Sequence, residues 1–478
     1  MMSNLMLPGN PRYQPRQLLE IFGYDNLVRT LYEVELAGLD VLAEIALIPS
    51  GDYSLLTPDI RGRILAIQTT AVDELERKVT KHDVRAAVRL MQDLLPLPLR
   101  RWVHIPYTSY DPLDTGRSLQ FIRAQRQVMA PSLVKAAKQM AEFTREFAGQ
   151  VQIGRTHGQH ALPITVGFWF ATILNRVLDN LQEMDTRAGQ LVGKISGAVG
   201  AYNAQVHLGI AERCGSLSFE ARVLQKLGLK PAAISTQILP PEPLAHYLFA
   251  VLLQTAAFAQ LGRDCRHLMR TEIGEVAEGF SKDQVGSSTM GHKRNPINFE
   301  QLEGMLKKNI GEFVKVLLTF ISEHQRDLTD SAVFRDFPIL VVNLANQLNT
   351  LLRADPESGQ TFLQRVTVDR QACWRNFQMS ANVILAEPLY IALQMSGYEG
   401  DAHELVNRYL VPAAKASERL LIEVAQERSE TDEQLRVALE MISGEVVQLL
   451  HHPEQYIGRA QDQALKVALR AETLLREA

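Results

Sequence analysis

The sequence predicts an all-α fold, and three observations predict it. Apolar residues recur at three- and four-residue spacing almost everywhere, proline-free stretches are long, and no convincing alternation of period two appears. From Leu133 to Phe147 the apolar positions Leu133, Ala137, Met140, Phe143 and Phe147 mark one face of an amphipathic helix. Ile173, Val177, Leu181 and Met184 repeat the pattern over residues 170–184. Leu244 to Phe280 holds no proline, which permits a helix of about 35 residues, roughly 50 Å long. A further apolar-periodic region runs from about Phe299 to Phe320.

Long helices of this kind imply an elongated bundle whose apolar faces exceed what one thin bundle can bury, so oligomerisation is expected. The proline- and arginine-rich stretch Leu95–Pro106 ends an N-terminal domain, and the polar break at residues 356–359 precedes shorter helices. The expected domains are 1–116, 117–360 and 361–478.

Composition narrows the function classes. The 478 residues are 46% hydrophobic and 22% charged, as in a soluble globular protein. Fifty basic against 54 acidic residues give a net charge of -4, with no footprint for nucleic acid. An anionic ligand must therefore be captured by a local cluster. The cysteines, Cys214, Cys265 and Cys373, stand far apart with no CxxC pairing, which argues against a disulfide framework or zinc site and suits a reducing compartment. No run approaches the roughly 18 apolar residues of a membrane span, and the N-terminus lacks an apolar signal core. A cytoplasmic location, away from membranes, is expected.

Three polar stretches interrupt the helical pattern. VGSSTMGHKRNP, residues 285–296, sets Ser287 and Ser288 beside Gly286, with Lys293, Asn295 and Pro296 following. Glycine frees the backbone and proline removes a donor, so the segment reads either as a polar inter-helix loop or as a mobile carrier of hydroxyls and a cation. GRTHGQHALPIT, residues 154–165, packs Thr156, His157, Gln159 and His160 ahead of a helix expected to begin near Gly167. Histidine suits proton transfer near neutral pH, yet a lone histidine is more often structural. HIPYTSYDPLDT, residues 104–115, offers His104, Thr108, Ser109 and Asp111, readable as helix caps or as carboxylate-binding hydroxyls at a helix start.

Together, in this order, the three stretches resemble the signature regions of the fumarase/aspartase superfamily, whose hallmark loop GSSxMPxKxNP is here GSSTMGHKRNP with Gly291 in place of proline. Within it, the adenylosuccinate lyase branch is the most similar. Arg12-Tyr13, KHDV at 81–84, WVHIPYTSYDPLDT, GKISGAVG at 193–200, ISTQ at 234–237 and RDLTDSAVFR at 326–335 carry that likeness along nearly the whole chain. It departs at Pro106 for glycine, Tyr110 for a small hydroxyl residue, Phe334 for glutamate, and Gly291.

The resemblance implies a three-domain fold with a central bundle of long helices that assembles into a homotetramer, three subunits building each site. It implies anti β-elimination of fumarate from a succinyl nucleotide, a small-molecule substrate, without metal or cofactor. By the same likeness Ser287 is the general base and His157 the general acid, with Glu300 orienting His157. Lys293 and Asn295 would stabilise developing charge and hold carboxylates, with Thr108, Ser109 and Gln237; Thr156, Ser288, His82 and His104 would line the site. Arg12, Tyr13, Arg326, Ser331 and Arg335 would contact the nucleotide and its phosphate, a role suited to the bidentate fork of arginine. Read alone, these arginines equally suit surface ion pairs.

Overall fold

The computed structural model describes residues 6–279, 290 and 293–477. Ser287, Ser288 and Gly291 lie outside them. The chain divides into two compact units: residues 1–134, 179–259 and 303–350 form the first, and 135–178, 260–302 and 351–478 the second.

Helices dominate, as the periodicity predicts. They include Arg29–Glu44, Asp83–Leu94, Tyr110–Arg123, Ala130–Glu146, Val166–Gly189, Glu242–Leu268, Ile297–Leu318 and Pro338–Leu352. The expected helix over 244–280 is shorter, because the chain turns at Gly274 (φ +65°), whose amide donates to the Arg270 carbonyl at 2.8 Å. A glycine in the left-handed region ends the run where no proline was available to do so. Helix Glu242–Leu268 is by length and composition apolar enough to span a membrane, contrary to the expectation that no segment is. Tyr247, Leu248, Val251 and Phe258 are fully buried, the pattern of a core helix.

The all-α expectation also needs correction, since the described residues include three two-stranded sheets. The largest is an antiparallel hairpin of β1 (Val151–Thr156) and β2 (Gln159–Thr165), the stretch GRTHGQHALPIT itself. His157 and Gly158 form its tip, both with positive φ, +54° and +75°. Two left-handed residues match the right-handed twist of the strands. Sequence periodicity misses it because one strand face is only half buried and the register shifts between Ile153 and Arg155.

In the first unit, Arg29–Glu44 packs on Tyr110–Arg123, burying Leu31, Val34, Leu39, Leu119 and Phe121. Phe121 meets Phe22 and Tyr247, with ring centroids 5.2 and 5.9 Å away. A buried polar network fixes the register of the long helices. Asn309 donates to Thr255 Oγ1 (2.9 Å) and to the Leu340 carbonyl (3.1 Å), and Asn343 donates to Asn309 (2.8 Å). Every member is paired, so these polar groups specify alignment without an unmet desolvation cost.

In the second unit, helix Val166–Gly189 starts hard against the end of Ala130–Glu146. A Cβ on Gly167 would lie 2.6 Å from the Thr144 carbonyl oxygen. The rings of Phe143 and Phe170 pack above this crossing at 4.2 Å. Phe377, Leu389, Leu393, Val406, Leu410, Ile422 and Leu435 form the core of the shorter C-terminal helices.

Candidate active site

The first unit holds a cavity of about 1150 Å³. Its wall gathers His82, Thr108, Ser109, Gln237, Arg326, Ser331 and Arg335 from four separate stretches of chain. Tyr110, Arg117 and Phe334 line it too, and Leu7, Phe22, Leu27, Leu31 and Val72 supply an apolar side. Carboxylates line it as well, among them Asp73, Glu76, Asp83, Asp327 and Asp336, so apolar and polar groups share the wall of a concave small-molecule site.

One buried carboxylate places Thr108 and Ser109. Asp111 Oδ2 accepts from the Thr108 amide at 2.8 Å, and Oδ1 accepts from the Ser196 amide at 3.0 Å. Lys194 Nζ donates to the same Oδ1, and both side chains are fully buried. The turn reading of this stretch therefore holds for Asp111, whose side chain bonds the Thr108 amide, whereas the N-cap residue Ser109 makes no side-chain cap to helix Tyr110–Arg123. Both hydroxyl residues remain at the cavity wall. GKISGAVG thus contributes a buried cation beneath the site, a role its sequence alone does not reveal.

Arg326 is held on several sides. Its Nε donates to the Asp327 carbonyl (3.0 Å), Nη1 to Gln237 Oε1 (2.9 Å) and Nη2 to Ser331 Oγ (3.2 Å). Its guanidinium carbon lies 3.4 Å from the centroid of the Tyr110 ring. Arg335 Nη2 meets Asp83 at 3.2 Å. His82 caps helix Asp83–Leu94, its Nδ1 accepting from the Arg85 amide at 3.4 Å.

Other expected residues are not in the wall. His104 gives its ring to Glu35, Nδ1 to Oε1 at 2.6 Å, while its amide donates to Glu35 Oε2 at 3.0 Å. Burial pulls the His104 pKa down, but the Glu35 hydrogen bond and the charges of Glu35 and Asp111 outweigh it, and the net direction is upward. Tyr13 lies beneath the ammonium of Lys308, 5.1 Å from its ring, and its carbonyl accepts from Asn346. Arg12 sits exposed in a short 3-10 turn.

The second unit carries the rest. Thr156 and His157 are exposed at the hairpin tip, and Lys293 and Glu300 are exposed around the start of helix Ile297–Leu318, with Asn295 partly buried. His157 and Glu300 form no hydrogen bond with each other among the described residues. Two glutamates that no sequence motif singles out set these positions. Glu275, fully buried, accepts from Arg155 (2.6 and 3.1 Å), Gln152 (2.7 Å) and Asn376 (2.8 Å), fixing the hairpin two residues before His157. Glu278 caps the helix that follows the polar loop, accepting from the amides of Asn298 (2.8 Å) and Phe299 (3.0 Å). Burial pushes the Glu278 pKa up, partly offset by those hydrogen bonds and by Arg353. Their partners lie up to a hundred residues or more away along the chain, beyond any local pattern. His160 shares a hydrogen bond with Ser380 Oγ (2.9 Å), and burial, then the Arg155 charge, lower its pKa. Among the described residues no group of three or more His, Cys, Asp or Glu is placed to hold a metal ion.

A profile of the lyase family matches residues 61–311. The adenylosuccinate lyase of Pyrococcus horikoshii is 33% identical over 468 residues, 96% of each chain. That of Bacillus subtilis is 31% identical over 390 residues, 81% of this chain and 84% of the other. Solved structures share the fold. A fumarate lyase from Mesorhizobium sp. BNC1 gives a TM-score of 0.79 at 20% identity, covering 96% of this chain and 99% of that one. A 3-carboxy-cis,cis-muconate lactonizing enzyme from Pseudomonas putida gives 0.74 at 22%, covering 95% and 97%. The chain belongs to the fumarase/aspartase superfamily of lyases. Along almost its full length it is similar to adenylosuccinate lyases at about 30% identity.

Proposed function

We propose that this lyase eliminates fumarate from adenylosuccinate to give AMP, and likewise cleaves the succinyl-imidazole-carboxamide ribotide of purine nucleotide synthesis. One observation carries the reading: the first unit's cavity gathers the hydroxyls Thr108 and Ser109, the amide Gln237 and the arginines Arg326 and Arg335. Hydroxyls suit the succinyl carboxylates, and arginine forks suit a phosphate. Full-length similarity to adenylosuccinate lyases points the same way.

The hard step is removal of a proton from a carbon activated only by its neighbouring carboxylate. Charge passes into that carboxylate and must be met by fixed donors. Ser287 takes the proton, His157 returns one to the leaving nitrogen, and Glu300 orients His157. Lys293 and Asn295 face the developing charge. A serine hydroxyl serves as a base only where cations and N–H dipoles stabilise its alkoxide and closure excludes water.

His157, Lys293 and Glu300 are exposed, which leaves them free to complete a site with other subunits of a homotetramer. Ile310, Val314, Leu317 and Ile321 leave an apolar stripe on and just beyond one face of helix Ile297–Leu318, an area suited to such assembly. A cytoplasmic location accords with a soluble nucleotide substrate. Replacing His157→Ala is expected to lower kcat by about 10²- to 10⁴-fold with adenylosuccinate binding retained. Unchanged turnover would remove His157 from the mechanism.

A second reading, a sister fumarate-releasing lyase or cycloisomerase on another succinyl substrate, draws on Tyr110 and Phe334. Both place rings in the cavity wall. A panel of succinyl compounds separates the two: turnover of another compound, and none of adenylosuccinate, would favour the second.

A further inference from the structure

We propose that Tyr110 is a positioning residue whose ring carries the Arg326 guanidinium and aims its remaining donors at an oxyanion of the substrate. The inference rests on the reading of this cavity as the substrate site.

Tyr110 is the first residue of helix Tyr110–Arg123 and is only 9% exposed. The 3.4 Å approach of the guanidinium carbon to the ring centroid puts the cation directly over the π face. The Tyr110 hydroxyl shares a hydrogen bond with Ser331 Oγ at 3.1 Å, and that oxygen also accepts from Arg326 Nη2 at 3.2 Å. Ring, hydroxyl and guanidinium thus form a closed loop that locks the ring's rotation. Of the five N–H donors of arginine, Nε and one each on Nη1 and Nη2 are engaged. Among the described residues no partner takes the second N–H on each terminal nitrogen, and such a pair can grip a phosphate or carboxylate.

A small hydroxyl residue at 110, as the family pattern has, would leave this face of Arg326 uncovered. Phe334 makes a parallel substitution: its ring lies under the Arg117 guanidinium at 4.8 Å, and Arg117 pairs with Asp114 at 2.8 Å. Both bulky departures in the cavity wall therefore carry an arginine, rather than merely narrowing the space.

The test is a double-mutant cycle on Tyr110→Ala and Arg326→Ala. Binding of inorganic phosphate is measured by calorimetry, with fumarate release from adenylosuccinate in parallel. Tyr110→Ala should weaken phosphate binding and raise KM about tenfold, with kcat little changed, while Tyr110→Phe stays within about threefold of wild type. In the Arg326→Ala background, removing the ring should add nothing. Tyr110→Leu keeps bulk and burial without a π face, so it should match Tyr110→Ala and covers the case in which the smaller side chain does not fold. Equal losses in both backgrounds, wild-type binding by Tyr110→Leu, or a wild-type protein that takes no phosphate would overturn the proposal. If the phosphate cycle behaves as expected but adenylosuccinate is not turned over, the substrate reading falls and the role of Tyr110 stands.

Discussion

Two buried charges set the local geometry at the residue scale. Lys194 and Asp111 are both fully buried, so neither charge is answered by water. Removing one partner leaves the other uncompensated, and Lys194→Met is expected to cost about 3–5 kcal/mol in urea unfolding. A loss under about 1 kcal/mol would show that the amides around Asp111 suffice. His104 provides a pH-dependent contact. Its folded pKa is raised by Glu35 above the ordinary value, so the pair's stabilisation is complete below the unfolded-state pKa of about 6.5. It fades as pH rises through the higher folded value. Glu35→Gln should therefore lower Tm most at acid pH, with a gap from wild type that narrows toward alkaline pH. A gap constant with pH would rule out this linkage. Neither residue's role was legible in the sequence: His104 and Lys194 stand in the right motifs, but their partners Glu35 and Asp111 are distant along the chain.

Two glycines test how the elements are made. Gly158 sits at φ +75° with open space within 4 Å of where a methyl group would stand, so Gly158→Ala meets only the backbone penalty, about 1 kcal/mol. Gly167 lies in ordinary helix, but its missing Cβ lets two helices touch, with the Thr144 carbonyl oxygen 2.6 Å from where that atom would be. Gly167→Ala should therefore destabilise more than Gly158→Ala in chemical denaturation, and the reverse order would contradict the packing described. The helices around these points were legible because buried residues such as Leu133, Ala137 and Met140 keep the three-and-four period. The β1–β2 hairpin was not. Its signal is a pair of left-handed residues, and histidine at the first of them is no common turn former.

For the whole molecule, the residues proposed for the site divide between the two units. Arg326, Ser331, Arg335, Gln237, Thr108, Ser109 and His82 surround the cavity of the first; His157, Lys293 and Glu300 are exposed on the second. The family was legible in the polar motifs set against a helical background. Their proposed meeting across subunits was not, because oligomer assembly leaves no periodic trace beyond an apolar stripe. If the proposed homotetramer forms through that stripe, charging it with Ile310→Glu and Leu317→Glu should leave a monomer in sedimentation and abolish turnover together. Full activity in a monomer would refute shared sites. The proposed reaction is tested most directly by incubating the wild-type protein with adenylosuccinate and measuring both products. AMP and fumarate in equal amounts are expected; no turnover, under conditions where another succinyl compound releases fumarate, would contradict it.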